Sequence, residues 1–277
     1  MKLRHARLNF PSMGLAAFIV AGACASTALD LTPARSQGAA TSPATSDLDA
    51  GVAAALREMA ETLAGTPELT VWFSSLREAA MRAGSDQQVM LGGTVAVGIR
   101  RPDQLAALVG SDRGSFRLWY DGEVATLLSL TANAYARRAI PGDIDTMLEA
   151  LETRLGVQVP LRDLLTADPF AALTEDGTTG VPVGRTLVNG VACDQYALRN
   201  RHVDWQIWIA SEEPRLPCRL VVVERNVPGA PRAVLEFFDW NLAPGLEAET
   251  FTFEAPSDAQ EVVWLERPAS SPAAETR

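Results

Sequence analysis

The sequence is almost without lysine and histidine. Lys2 is its single lysine, and His5 and His202 are its only histidines. A P-loop lysine, a Schiff-base lysine within a folded domain and a multi-histidine metal site are therefore all excluded. Positive charge is scarce as well. There are 24 Lys and Arg against 34 Asp and Glu, a net charge of −10. Such a balance repels nucleic acid and anionic membrane surfaces. No Gly-x-Ser-x-Gly elbow is present, so the nucleophile turn of the α/β-hydrolases is missing. Cysteine is limited to Cys24, Cys193 and Cys218. After the first 25 or so residues no apolar run reaches bilayer length, so no transmembrane span is expected in the mature chain.

What is present begins with an export signature. Lys2, Arg4 and Arg7 precede a short apolar run from Met13 to Ala23, and Ala-x-Ala patterns follow at Ala21/Ala23 and Ala23/Ala25. This order predicts a signal peptide over residues 1–28, a mature start between Cys24 and Leu29, and a periplasmic protein. Taking the 3 basic residues of positions 1–23 from 24 leaves 21 against 34 acids, a net charge of −13. Val20-Ala21-Gly22-Ala23-Cys24 matches a lipobox in part, with Ala21 where leucine is usual. Cys24 is thus a candidate lipidation site, the alternative being a cysteine beside an ordinary cleavage site. Residues 29–46, rich in Thr, Ser, Pro, Ala and Gly, read as a flexible tether, and 268–277 as a disordered tail.

Between them, residues 47–267 read as one domain. Leu48, Val52, Leu56, Met59 and Leu63 form a helical stripe capped by Ser46 or Asp47. Strand runs follow at Leu69–Phe73, Val89–Ile99, Gln104–Val109, Phe116–Tyr120 and Glu123–Leu128. Asp121-Gly122 predicts a type I′ hairpin turn, as Asn189-Gly190 does later. Ile144, Met147, Leu148, Leu151 and Leu155 fall on one helical face, and Pro160 to Leu165 on a second short helix ended by Asp168-Pro169. Strands resume at Val183–Val188 and Val191–Leu198. Val203-Asp204-Trp205-Gln206-Ile207-Trp208-Ile209 alternates with period 2, placing Trp205 and Trp208 on opposite faces. Arg219–Glu224, Ala233–Trp240, Phe251–Phe253 and Val262–Trp264 complete the set. About ten strands joined by short turns, with helices at the start and middle, predict an α+β fold. Its curved antiparallel sheet forms an unclosed β-barrel, with helices lidding the concave face.

Several stretches resemble a known family: Arg100-Arg101-Pro102-Asp103, Trp119-Tyr120-Asp121-Gly122, Asp163-Leu164-Leu165 with Asp168-Pro169, the tryptophan strand at 203–209, Leu216-Pro217, and Asp239-Trp240-Asn241-Leu242 leading to Phe251-Thr252-Phe253. They resemble a bacterial family of predicted periplasmic proteins of unknown function, similar to the lipoprotein-carrier (LolA/LolB-like) superfamily. The resemblance implies a half-open barrel with a hydrophobic cavity. It also implies a non-enzymatic role binding a lipid, an acyl chain or an acylated protein, with a further envelope protein as partner. On that reading Trp72, Phe116, Leu118, Tyr120, Leu148, Leu151, Trp205 and Trp208 line the cavity. No catalytic residue, cofactor or metal is expected, and no nucleic acid.

Two alternatives stand beside it. One is a structural or adaptor module of the envelope with a filled core. The other is a hydrolase using His202 with Asp204. Asp194 with Asp204 as an acid–base pair, and Asp163 with Asp168 as calcium ligands, are weaker still. For Cys193 and Cys218 the expected meander puts one strand between them. Their Cα atoms would then be about 9–10 Å apart, too far for a disulfide. Two free, buried thiols are the expectation.

Overall fold

The computed structural model describes residues 48–81, 87–157, 159 and 161–264. The expected signal peptide, Cys24, the tether and the tail lie outside the described residues. Helix α1 (Ala50–Gly65) is capped by Asp49, whose carboxylate accepts from the Gly51 and Val52 amides at 2.8 and 3.1 Å. The cap therefore falls later than Ser46 or Asp47. The helix buries Val52, Leu56, Met59 and Leu63 completely.

Six strands follow: β1 (Glu68–Ala80), β2 (Gln88–Arg100), β3 (Gln104–Ser111), β4 (Gly114–Tyr120), β5 (Val124–Ser129) and β6 (Ala134–Ala139). Then come α2 (Ile144–Thr153), α3 (Arg162–Leu165) and α4 (Pro169–Thr174). Strands β7 (Thr179–Val188), β8 (Val191–Arg199), β9 (Val203–Ala210), β10 (Pro217–Glu224), β11 (Arg232–Asn241) and the short β12 (Gln260–Glu261) complete the chain. All join one sheet in the order β12-β6-β5-β4-β3-β2-β1-β11-β10-β9-β8-β7. Every pairing is antiparallel except β12 with β6. The sheet is open, with β7 and β12 at its two margins, so the expected α+β half-barrel is the observed fold.

The concave face carries the helices. Leu69, Val71 and Phe73 of β1, Ile99 of β2, Leu105 of β3, Tyr120 of β4 and Trp205, Ile207 and Ile209 of β9 meet α1 to α3 in one buried cluster. Ile144, Met147, Leu148 and Leu151 of α2 are 0–1% exposed. Each fully buried leucine of that stripe contributes about 2 kcal/mol of apolar transfer energy. The C-terminal stretch crosses the opposite face. A 3-10 turn at Ala248–Phe251 sets Phe251 under the Arg100 guanidinium, which lies 5.1 Å from the ring centre. Phe253 packs on Trp119 and Tyr135, with ring centres 5.1 and 4.9 Å apart. The chain then bonds along β6 through Gln260 and Val262 amides, and Trp264 reaches the main cluster.

Several details depart from the sequence reading. Asn189 and Gly190 both have positive φ, 50° and 84°, as a type I′ turn requires. At Asp121-Gly122 only the glycine does, at 94°, because the Asp121 carboxylate instead caps the Glu123 and Val124 amides. Asp168-Pro169 does not end a helix but starts one: Asp168 accepts from the Ala171 amide at 2.9 Å and Pro169 opens α4. Phe251–Phe253 forms no strand.

Cys193 and Cys218 are joined as a disulfide, contrary to the expected free thiols. The strand order is the expected one, and Cys193 opposes Ala210. But β10 is bulged: Pro217 opposes Ile209 and Arg219 opposes Trp208, leaving Cys218 as the extra residue. The bulge draws the two Cα atoms to 7.0 Å across β9.

Candidate functional site on the concave face

Reading the inner face in cross-strand rows exposes a gradient. Nearest the helices, Val71, Val97, Ala107 and Leu118 stand in register, all apolar. The next row is Phe73, Val95, Val109 and Phe116. One step further it becomes Ser75, Gly93, Ser111 and Gly114. Beyond that, Arg77 pairs with Leu91. The face thus passes from apolar to small residues as it leaves the helical cover, and in the row beyond Arg77 stands beside Leu91 and Ala233. Gly93 is required for this taper, because a Cβ there would lie 2.8 Å from the Gly110 carbonyl oxygen.

The small and charged rows floor a cleft of about 470 Å³, lined by Ser75, Arg77, Leu91, Ser111, Glu224 and Pro228 among others. Arg77 Nη2 donates to Glu224 Oε1 at 2.6 Å. These residues belong to β1 and β10, with β11 between them. Their bond passes over Ala233, the register partner of both Arg77 and Val222. A larger residue at 233 would stand between the charges. Both side chains remain partly solvent-accessible, 42% for Arg77 and 35% for Glu224. A second hollow of about 270 Å³ lies between α1 and α4, where the Arg57 guanidinium sits 4.4 Å from the Phe170 ring centre.

The eight residues expected to line a cavity do not form one set. Leu118, Tyr120, Leu148, Leu151 and Trp205 gather in the helix-covered cluster, packed against other side chains. Phe116 sits one row nearer the cleft and is partly buried. Trp72 alternates away from Leu69, Val71 and Phe73, on the opposite face. Trp208 lies in a separate cluster with Val188, Cys193 and Cys218, and the Arg219 guanidinium is 5.3 Å from its ring centre. Arg77 and Glu224 had no signal in the sequence, since neither stands in a motif. Their meeting depends on strand register across 147 residues.

The alternative chemistries find little support in the geometry. His202 Nδ1 is 3.1 Å from the Asn226 amide nitrogen, and its Nε2 is 3.8 Å from Asp176. No serine or threonine hydroxyl bonds to it among the described residues. Asp204 faces away from the helices and is held by Arg199 at 2.5 and 2.7 Å. Asp194 points to the helix side and is held by Arg185 at 2.8 Å. The bond from Arg185 keeps the Asp194 carboxyl below its usual range, and the bond from Arg199 does the same for Asp204. Two such ion-paired groups on opposite faces make no acid–base couple. No cluster of metal-ligating side chains occurs among the described residues.

Motif residues from the resemblance turn out to hold the fold together. Arg101 donates to the Leu165 and Leu63 carbonyls at 2.9 and 3.2 Å, tying the ends of α3 and α1 to the β2–β3 corner. Burial lowers its pKa, and Asp145 works in the opposite direction. The Trp240 indole donates to the Pro217 carbonyl at 3.0 Å.

The chain folds as an open antiparallel half-barrel, lidded on one face by helices. Within that class, residues 52–265 match the profile of the predicted periplasmic protein family DUF2092, and the chain belongs to it. The family description agrees with the expected periplasmic location. Among the described residues no helix is long and apolar enough to cross a membrane. No curated protein matches the chain. Among solved structures, the chain is similar to the Mycobacterium tuberculosis lipoprotein LppX. That match has 13% identity and a TM-score of 0.40, and covers 72% of this chain and 99% of that one. A LolA superfamily protein from Nitrosomonas europaea gives 12% identity, a TM-score of 0.37 and coverage of 72% and 96%. The Pseudomonas aeruginosa MucA/MucB complex gives 15% identity, a TM-score of 0.41 and coverage of 77% and 64%.

Proposed function

We propose that this protein is a non-enzymatic periplasmic binder of a lipid, an acyl chain or an acylated protein. The observation that carries the reading is the gradient on the concave face. An amphiphile has one apolar and one polar end, and the face runs from the Phe73–Phe116 row to the Arg77–Glu224 pair in the same sense. The cleft's volume lies within the range of small-molecule sites. Each methylene that leaves water along the apolar rows contributes about 0.8 kcal/mol. Trp72, Phe116, Leu118, Tyr120, Leu148, Leu151, Trp205 and Trp208 were expected to line one cavity. Phe116 stands one row from the Ser75–Ser111 row of the cleft without lining it, and on this reading a cargo reaching further parts α2 from the sheet.

The test is extraction of the purified protein with organic solvent, followed by mass spectrometry and titration with a fluorescent fatty acid. A stoichiometric lipid or saturable binding of the probe is the expected result. A lipid-free protein that ignores the probe sinks the reading. A second reading, an envelope adaptor with a filled core, is favoured by the complete burial of Met147, Leu148 and Leu151 of α2 in the cluster shared with the sheet. That same lipid-free result would support it.

A further inference from the structure

We infer that Asn189 is a self-modification site, where the chain converts its own asparagine through a cyclic imide into aspartate and isoaspartate. The turn between β7 and β8 consists of Asn189 and Gly190, both exposed and both at positive φ. Imide closure needs a side-chain amide free to move, a following backbone nitrogen free to attack, and open space at the next residue. Gly190 supplies the space, since a Cβ built on it would meet nothing within 4 Å. Among the described residues its N–H donates no hydrogen bond, and the Asn189 side chain makes none.

The other described asparagines fail these conditions. Asn133 donates to the Asp258 carbonyl at 2.9 Å and Asn226 to the Arg201 carbonyl at 3.3 Å. Asn200 accepts from the His202 and Val203 amides, both at 2.9 Å, and Asn241 from the Ala243 amide at 3.0 Å. Each precedes a residue with a Cβ: Ala134, Val227, Arg201 and Leu242. Aspartate before glycine can close the same ring, but both such residues are held. Asp121 accepts from the Glu123 and Val124 amides, and Asp176 pairs with Arg201.

The reaction consumes only water. The Gly190 nitrogen loses its proton to hydroxide and bonds to Asn189 Cγ. The Cγ–Nδ2 bond breaks, and ammonia leaves with a proton from water. A water molecule then opens the ring. Breaking the new bond at Cγ gives aspartate. Breaking the original peptide bond gives isoaspartate, whose main chain runs through Cβ and Cγ. Ring closure needs Cγ and the Gly190 nitrogen eclipsed about the Cα–C bond, which a type I′ turn does not hold. The reaction therefore runs through local opening of the hairpin end. β7 is a margin strand, exposed throughout residues 181–187, so that opening costs little.

The two products act differently on β7. Aspartate tolerates positive φ and suits a type I′ turn before glycine, so it adds a charge and keeps the hairpin. Isoaspartate adds an atom to the main chain of a two-residue turn. The Val188–Val191 and Leu187–Ala192 pairings then cannot close as they stand. Val188 leaves its buried place beside Cys193, Trp208 and Cys218.

The experiment ages the whole mature protein in warm, mildly alkaline buffer, then reduces, alkylates and digests it with trypsin. A synthetic Thr186–Arg199 peptide aged alongside reports the rate without a fold. The expected result is the mass gain of one deamidation in the Thr186–Arg199 fragment, faster at higher pH, with the fragments of Asn133, Asn200, Asn226 and Asn241 unchanged. Ion exchange should resolve two aged forms. One should melt with wild type and with Asn189→Asp. The other, labelled by an isoaspartate methyltransferase, should melt at lower denaturant. An intact Asn189 in the protein once the peptide has fully reacted overturns the inference, as does earlier modification of any other described asparagine. An isoaspartate form that melts with wild type overturns the consequence for β7.

Discussion

The Tyr120 hydroxyl lies 2.8 Å from the carbonyl oxygen of Gly142 and is wholly buried. It also lies 2.9 Å from the Ile140 carbonyl. One side chain of β4 thus fixes the turn that delivers α2 to the concave face. Burial pushes the Tyr120 phenol up to about 12, and the charges of Asp103 and Asp143 add to the shift. A raised phenol means that the folded state keeps its proton where the unfolded chain has lost it. This stabilisation is fully present below the ordinary tyrosine pKa of about 10 and is lost as pH rises through about 12. Tyr120→Phe should cost about 1–2 kcal/mol at neutral pH. Urea melts in alkaline buffer should show the gap between the two proteins narrowing above about pH 10. A gap constant with pH would mean that the hydroxyl is not the titrating group.

Arg101 makes a second link between sheet and helices, reaching two carbonyls that belong to different helix ends. A lysine ammonium is a point charge and cannot span both. Arg101→Lys should therefore lower stability by about 1–2 kcal/mol despite keeping the charge. Equal denaturation midpoints for the two proteins would show that the guanidinium's shape is irrelevant here.

How far the sequence disclosed this arrangement depends on whether the signal was local. Period-2 alternation in 203–209 and the Asn189-Gly190 turn marked β7 to β9, and the leucine stripe marked α2. Strand β6 went unseen, because Ala-Tyr-Ala-Arg-Arg-Ala has no apolar alternation. It forms as the register partner of β5, a tertiary cause. The candidate site was less legible than the fold. Tryptophan and leucine flag a core, whether or not that core is hollow. The cleft is built instead from serine, glycine and an arginine whose neighbours in space are remote in sequence.

The disulfide was missed for a comparable reason. Strand order was inferred from turns, whereas a bulge is set by how Pro217 meets Ile209. Thiol counting on the denatured, unreduced protein should find no reactive group from Cys193 or Cys218. The bridge closes a sequence separation of 25 residues. Cys193→Ser with Cys218→Ser should then cost about 3 kcal/mol by loop entropy. Two reactive thiols in the wild type would refute the bulged register.

Asp194 gives the acid limit. Its pKa is lowered chiefly by the bond from Arg185, with Arg215 adding to it at 3.4 Å. A lowered carboxyl contributes stability above the ordinary carboxylate value of about 3.9, and that contribution disappears as pH falls below it. Wild type should exceed Asp194→Asn in stability at neutral pH by about 1 kcal/mol, with the difference vanishing toward pH ~2. Melts that separate the two proteins equally at both pH values would contradict this.

The two margins of the sheet have unequal exposure to other chains. At β6 the returning C-terminal stretch occupies backbone groups that a foreign strand would seek. At β7, among the described residues, Gly180 is engaged by Leu48 and Asp49, while Val181, Val183 and Leu187 are 58%, 54% and 69% exposed. Pro182 lacks an amide to donate, and the bulge between Pro182 and Gly184 bends the rest. Strand β7 is therefore the predicted nucleation edge for polymerisation under stress, with Pro182 as its brake. Pro182→Val should lower the protein concentration at which light scattering appears on heating, and an unchanged onset would place the nucleus elsewhere.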